Sequence, residues 1–178
     1  MHILVVGGGM GGTILANNLA RRLSGELEQG SSKITMLSAS DKHMYQPGLL
    51  YVAVGKMSTS ELYRDQKSLL EPSIDFHVDP VEKFDLDNNS VTTKSGKKIS
   101  YDIICIATGS RGNAAGIPGL AENACQFYTE ADALAMYKKL QKFEGGKVVV
   151  ATGVPHKCPM SPLEITLFLI DYFKKRGI

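Results

Sequence analysis

Ile3-Leu4-Val5-Val6-Gly7-Gly8-Gly9-Met10-Gly11-Gly12 (ILVVGGGMGG) is the stretch that decides how the rest of the chain is read. Four consecutive apolar residues, mostly β-branched, suit a strand covered on both faces, as strands inside parallel sheets are. Glycines follow at once, and Gly7, Gly9 and Gly12 stand at the spacing G-x-G-x-x-G. In that pattern the first glycine permits a tight turn and the second lets the backbone approach a pyrophosphate. The third lets helix and strand pack closely. The unpaired N–H groups and dipole of the helix start attract phosphate. A helix is predicted over residues 13–23, with Ile14, Leu15, Leu19 and Leu23 at helical spacing. A polar turn over 24–32 and a second strand over 33–37 follow. This is a βαβ unit, whose crossover is right-handed in a parallel sheet. A dinucleotide site is therefore expected at Gly7, Gly8, Gly9, Met10 and Gly12.

An acid that would hold a ribose hydroxyl is missing at the end of the second strand. Its place falls at Ser38, followed by Ala39-Ser40-Asp41. Ser38 and Ala39 stay in the candidate site, with the serine hydroxyl as a weaker hydrogen-bonding group. Residues 49–70 read as mostly helical, broken at Gly55. Residues 74–78, 81–86 and 91–93 alternate, bounded by Asn88-Asn89 and Ser95-Gly96, and read as a three-stranded meander. Residues 101–108 read as a buried strand ending in Ala107-Thr108-Gly109. Residues 112–119 hold three glycines and a proline and read as a linker. A helix is expected over 129–143.

Then the pattern restarts. Gly145-Gly146 precede Lys147-Val148-Val149-Val150-Ala151, read as a second apolar strand, and the loop Thr152-Gly153-Val154-Pro155-His156-Lys157-Cys158-Pro159-Met160 follows. Ser161 reads as the cap of a helix over 163–175, with Pro162 at its first position and Glu164 three residues after the cap. The expected fold class is α/β. A Rossmann-like domain with a parallel sheet and small meander spans 1–112, a linker and helix span 113–144, and a second Rossmann-like unit begins over 145–178. A lone strand–helix pair cannot bury its own faces. The chain is therefore expected to be the front part of something larger.

The second turn is poorly built for NADH, because Gly153 is its one glycine. Pro155 and Pro159 remove backbone donors, and His156 and Lys157 add bulk. What it offers instead is Cys158, beside Lys157 and just upstream of a helix start, a positive setting that favours the nucleophilic thiolate. The competing reading is a structural cysteine in a proline-rich turn. Cys105 lies in an apolar strand and reads as core, and Cys125 is open on composition alone. His43 and His77 read as surface or packing histidines.

Composition narrows the rest. Apolar residues make up 43% and charged residues 21%, with a net charge of +2, as in ordinary globular proteins. No basic excess calls for nucleic acid, no apolar run is long enough to span a bilayer, and the N-terminus lacks the charged region of a signal peptide. Three cysteines at wide spacing argue against a secreted disulfide framework. A cytoplasmic chain without a metal site is expected.

Two segments, Tyr45-Gln46-Pro47-Gly48-Leu49-Leu50-Tyr51-Val52-Ala53-Val54-Gly55 and Gly153-Val154-Pro155-His156-Lys157-Cys158-Pro159, resemble the sulfide:quinone oxidoreductases and their relative flavocytochrome c sulfide dehydrogenase. These are FAD-dependent members of the pyridine nucleotide-disulfide oxidoreductase superfamily. The first segment also resembles type II NADH dehydrogenases, whereas the Lys-Cys-Pro turn does not. The resemblance covers the N-terminal part of a family member. It implies FAD at the glycine turn, with Gln46, Pro47, Val81, Ala107, Thr108 and Gly109 added to its surroundings. It implies sulfide oxidation by paired redox cysteines beside the flavin, with electrons passing to a quinone. Cys158 matches one of that pair, and its partner belongs to a C-terminal half or second chain. Cys125 matches a further family cysteine near the flavin. Membrane association, peripheral on the inner face, would come through that absent part, and the 178 residues alone are expected to be inactive. The oligomeric state, a homo-oligomer included, is left open. Two other readings stand beside this one: a type II NADH dehydrogenase-like flavoprotein, and a non-catalytic nucleotide-binding half.

Overall fold

A computed structural model describes residues 1–153 and 156–178. In chain order the elements are β1 (His2–Val6), α1 (Met10–Arg22), α2 (Ser24–Glu28), β2 (Lys33–Ser38), β3 (Lys42–Met44) and α3 (Gly48–Ala53). Then come β4 (Tyr63–Asp65), β5 (Ile74–Val78), β6 (Val81–Asp85), β7 (Ser90–Thr93), β8 (Lys98–Ser100) and β9 (Ile103–Ile106). The chain ends with α4 (Leu120–Asn123), α5 (Glu130–Gln141) and α6 (Ser161–Arg176). They fall into two compact units, Met1–Met44 with Tyr63–Gly109, and Tyr45–Leu62 with Ser110–Ile178.

The first unit is built on a parallel sheet in the order β5-β2-β1-β9. β1 is central, with Ile3 opposite Ile34 on one side and Ile103 on the other. Successive side chains of a strand point to opposite faces, which explains why the run Ile3–Val6 is apolar throughout. Ile3 and Val5 join Ala16 and Ala20 of α1 with Ile34, Met36 and Ile74 in one core cluster. Leu4 and Val6 join Leu37, Val91, Ile99 and Tyr101 in another, against the antiparallel sheet β6-β7-β8. One strand thus feeds two cores. This is the expected α/β arrangement of Rossmann type.

Several expectations need correction here. Ile74–Val78 is not part of the meander; it pairs in parallel with β2, Ile74 opposite Ile34 and Val78 opposite Ser38. The third meander strand is Lys98–Ser100, where Ile99 alone is buried. Residues 101–108 shorten to Ile103–Ile106, and the strand is not buried: it sits at the sheet edge with Ile106 57% exposed. An edge strand has a neighbour on one side only. Residues 49–70 form α3 and two short 3₁₀ turns, plus β4, which pairs antiparallel with β3.

In the second unit, α3 packs against α5, and Tyr51 of α3 meets Phe168 of α6 at 5.1 Å between ring centroids. Leu49, Val52 and Ala53 of α3, Ala133 and Met136 of α5, and Ile165 and Leu169 of α6 are buried. The strand expected over 147–151 is absent. Those residues belong to no regular element, and Val149 is 76% exposed. A parallel strand exists only through bonds to a neighbour, and among the described residues none lies alongside. The expected cap is also revised: Ser161 is the first residue of α6, and Met160 precedes it as the cap. Among the described residues no helix is long and apolar enough to cross a membrane.

Candidate functional site

The glycine turn forms where β1 leaves the sheet with a neighbour still attached on each side. Gly7 N–H donates to the Leu37 carbonyl at 2.8 Å, and Ala107 N–H donates to the Val6 carbonyl at 2.7 Å. Gly7 has φ +115°, and a side chain there would run into the Ala107 carbonyl. At Gly12 a side chain would run into the Gly7 carbonyl, so α1 seats directly on the turn. Both positions therefore need glycine, for backbone conformation at the first and close approach at the second.

Gly9 caps α1 without a side-chain hydrogen bond, and the helix begins with Thr13 N–H donating to the Gly9 carbonyl at 2.9 Å. The N–H groups of Met10, Gly11 and Gly12 precede that first bond and have no partner within the helix. Nothing lies within 4 Å of where a Cβ on Gly9 would stand, and the first turn carries no acidic residue. An anion approaching this end meets free donors, the positive end of the helix dipole and no opposing charge.

The other candidates of this unit lie at the end of β2, at the start of α1, beyond β9 and at the start of β6. Ser38 ends β2, buried against Gly8, and its Oγ accepts from Ser40 N–H at 3.2 Å; Ala39 beyond it is exposed. Met10 is exposed at the helix start. Ala107 is half-buried against Gly7, whereas Thr108 and Gly109 are exposed beyond β9, Gly109 at φ +75°. Val81 opens β6 and packs on the core beneath the meander. Gln46 and Pro47 belong to the second unit, both exposed, with Pro47 capping α3.

Three residues outside any motif hold the turn from beneath. The Gly8 carbonyl receives Thr13 Oγ1 at 3.3 Å and His43 Nδ1 at 3.2 Å. His43 Nδ1 also lies 2.9 Å from Gln66 Oε1, and Gln66 Nε2 donates to Thr13 Oγ1 at 2.9 Å. Gln66 is wholly buried. His43, expected as a surface or packing histidine, is in contact with the turn; Thr13 and Gln66 carried no signal in the sequence.

At the cysteine turn, Cys158 is partly buried and Cys125 is exposed, and both are free thiols. Ser161 Oγ donates to the Cys158 carbonyl at 3.3 Å and lies 2.6 Å from the Tyr128 hydroxyl, which must then be the donor of that pair. Lys157 Nζ donates to the Ser110 carbonyl at 3.2 Å. His156 and Pro159 are exposed. Pro155, expected to remove a backbone donor, lies outside the described residues together with Val154.

Comparison with known proteins fits this geometry. The pyridine nucleotide-disulphide oxidoreductase family matches over residues 1–153. The chain belongs to that family. Among individual members, the sulfide-quinone reductase of Aquifex aeolicus (strain VF5) is 36% identical, over 99% of this chain and 40% of that protein. The mitochondrial sulfide:quinone oxidoreductase of Mus musculus is 30% identical, over 99% of this chain and 39% of that protein. The crystal structure of the sulfide:quinone oxidoreductase from Aquifex aeolicus superposes with a TM-score of 0.79 at 30% identity, covering 99% of this chain and 40% of that one. The chain thus spans about two-fifths of the length of the relatives it matches.

Proposed function

We propose that the chain is the N-terminal part of a flavin-dependent sulfide:quinone oxidoreductase. The observation that carries this reading is the match to the Aquifex aeolicus sulfide-quinone reductase over 99% of the chain, which takes in the cysteine turn beyond residue 153 as well as the glycine turn. Gly153 as the one glycine of the second turn supports sulfide rather than NADH as the electron source, since NADH needs a close approach of its pyrophosphate to the backbone.

FAD is the dinucleotide in this reading, and the residues present fit it. The N–H groups of Met10, Gly11 and Gly12 would hold the pyrophosphate on the open side of Gly9, with the Ser38 hydroxyl at the strand end where a ribose is held. When bound, the flavin supplies a two-electron acceptor for the thiols. Cys158 is one of the redox pair, and the second cysteine is not among these 178 residues. Hydrosulfide attacks the second sulfur of the disulfide between them, and the S–S bond breaks. Its electron pair leaves on Cys158 Sγ as thiolate, and the incoming sulfur stays on the other cysteine as a persulfide. Exchange of this kind needs an accessible disulfide and a good leaving thiolate, and the partly exposed Cys158 next to Lys157 suits the leaving role. Quinone is the final acceptor. In this reading Cys125 matches a further cysteine of the family.

A visible spectrum of the purified protein, before and after anaerobic sulfide, tests the proposal. A flavin band bleached by sulfide is expected for the complete protein. Bleaching by NADH with sulfide inert would overturn it in favour of an NADH dehydrogenase.

A further inference from the structure

The Gly8 carbonyl is held by Thr13, which is buried, and by His43, which is partly buried, and both of these are bonded to the wholly buried Gln66 of a third segment. A carbonyl can only accept, so His43 Nδ1, 3.2 Å away, must carry a proton. That fixes the rest. The end of Gln66 facing Nδ1 at 2.9 Å is its oxygen, and its nitrogen is left to donate to Thr13 Oγ1 at 2.9 Å. With that bond accepted, the Thr13 hydroxyl is free to donate to the Gly8 carbonyl at 3.3 Å. The roles are mutually consistent: the one Nδ1 proton of His43 is shared between the Gln66 oxygen at 2.9 Å and the Gly8 oxygen at 3.2 Å, and the Gly8 oxygen also receives the Thr13 hydroxyl.

Gln66 is 0% exposed, next to Met36. An apolar side chain would fill that space with no polar group to satisfy, and a buried amide is tolerated only when hydrogen-bonded. Its bonds lead to Thr13 and to His43, and both of these act on Gly8. The peptide between Gly8 and Gly9 is planar and trans, so its N–H points opposite to its C=O. Holding the Gly8 oxygen toward Thr13 and His43 therefore turns the Gly9 N–H away from them.

We propose that Thr13, His43 and Gln66 form a clamp on the Gly8 carbonyl that presets the Gly9 N–H for a ligand pyrophosphate. This rests on the dinucleotide reading above. All three are positioning residues: they act through the backbone and touch no ligand. The antiparallel pair β3–β4 positions the clamp, since His43 lies on β3 and Gln66 directly follows β4. A preset donor costs nothing to orient when the anion arrives.

Two measurements on the same protein test it, with ADP as the probe because it carries the pyrophosphate without the flavin. The first is the ¹⁵N NMR signature of His43, which is expected in the Nδ1–H form. The second is ADP affinity by calorimetry. His43→Leu is expected to weaken binding roughly tenfold, the equivalent of about 1.4 kcal/mol. His43→Asn, whose amide can still donate to the Gly8 carbonyl, should recover binding to within about threefold of wild type, the loss of part of one hydrogen bond. Thr13→Val should weaken binding in the same direction. A purely structural role would give equal loss for Leu and Asn variants that melt alike. The clamp is overturned if His43 is in the Nε2–H form, or if ADP affinity is unchanged in His43→Leu. If the wild-type protein binds neither ADP nor FAD, the cofactor reading falls and the clamp's purpose with it; if both bind and the variants bind equally, the clamp alone falls. Should His43→Leu not fold, the Asn and Val variants and the NMR signature still decide.

Discussion

Ile3–Val6 and Val148–Val150 are close to the same sequence, and each precedes a helix that starts near a candidate functional group. In the first, Leu4 and Val5 are wholly buried; in the second, Val149 is 76% exposed. Hydrophobicity alone does not separate them. β1 has β2 on one side and β9 on the other, with α1 and the meander covering its two faces. The valine run has no strand beside it among the described residues. A strand is a relation between segments, and an apolar run states only half of that relation. α6 carries the same lesson: Ile165 and Leu169 are buried, while Leu163, Leu167 and Ile170 share an exposed face.

The two turns should also fail in different ways, and the sharpest test is at the second. In the complete protein, Cys158→Ser is expected to abolish flavin bleaching by sulfide. The melting temperature should barely move, because the side chain is partly exposed and makes no described hydrogen bond through its sulfur. Full bleaching in the variant would remove the redox role of that turn.

Next in size is the contrast between the strands themselves. Leu4→Ala removes a fully buried side chain and should destabilise by about 2–5 kcal/mol, whereas Val149→Ala should stay within about 0.5 kcal/mol. Urea denaturation of the two variants measures both. Equal losses would mean that the valine run is buried in solution, and the contrast between the regions would collapse.

What the sequence made legible divides along the same line. The run Ile3–Val6, the glycine spacing and α1 were readable because each cue is local: branched apolar residues, turn glycines, helical periodicity. The parallel pairing of Ile74–Val78 with β2 was not, since alternation shows that a strand has two faces and not which strand lies beside it. β8 offers Ile99 as its one buried residue, too little signal for a strand. β3 and β4 pair as His43 with Arg64, across a stretch that reads as helical. The residues that hold Gly8 are brought together by that same pairing, so neither Gln66 nor Thr13 could stand out beforehand. Cys158 was legible as a thiol in an unusual turn; its tie through Ser161 to Tyr128 was not, because the two meet 33 residues apart.

A smaller effect separates the two helix starts. α1 begins at a glycine with no side-chain cap, leaving its donors to a ligand, while α5 begins at Thr129, whose Oγ1 accepts from Asp132 N–H at 3.1 Å. Thr129→Ala should cost about 1 kcal/mol, the usual loss for such a cap. Thermal unfolding of that variant checks it, and no loss would mean that the cap is not formed in solution.

The smallest expected effect compares the two edges of the parallel sheet. The β9 edge exposes Ile103 and Ile106, whereas the β5 edge is dressed with charge: Lys33 Nζ and His77 Nε2 lie 2.7 and 2.8 Å from the Asp75 carboxylate. Burial pushes the Asp75 carboxyl up, but the hydrogen bonds from Lys33 and His77 outweigh it and hold the group below the ordinary carboxylate range. A folded-state value below the unfolded one means that the unfolded chain takes up the proton first as pH falls. The stabilisation is therefore fully present above the unfolded value, about 3.9, and is lost as pH drops through the lower folded value. Because both partners are more than a third exposed, solvent screening keeps it well under about 1 kcal/mol. Asp75→Asn should shift the urea midpoint slightly downward at pH 6, and the gap from wild type should close as the pH falls below about 4. A gap that widened on acidification would mean that the charged edge destabilises the sheet, and that β5 is held, like β1, by its apolar contacts alone.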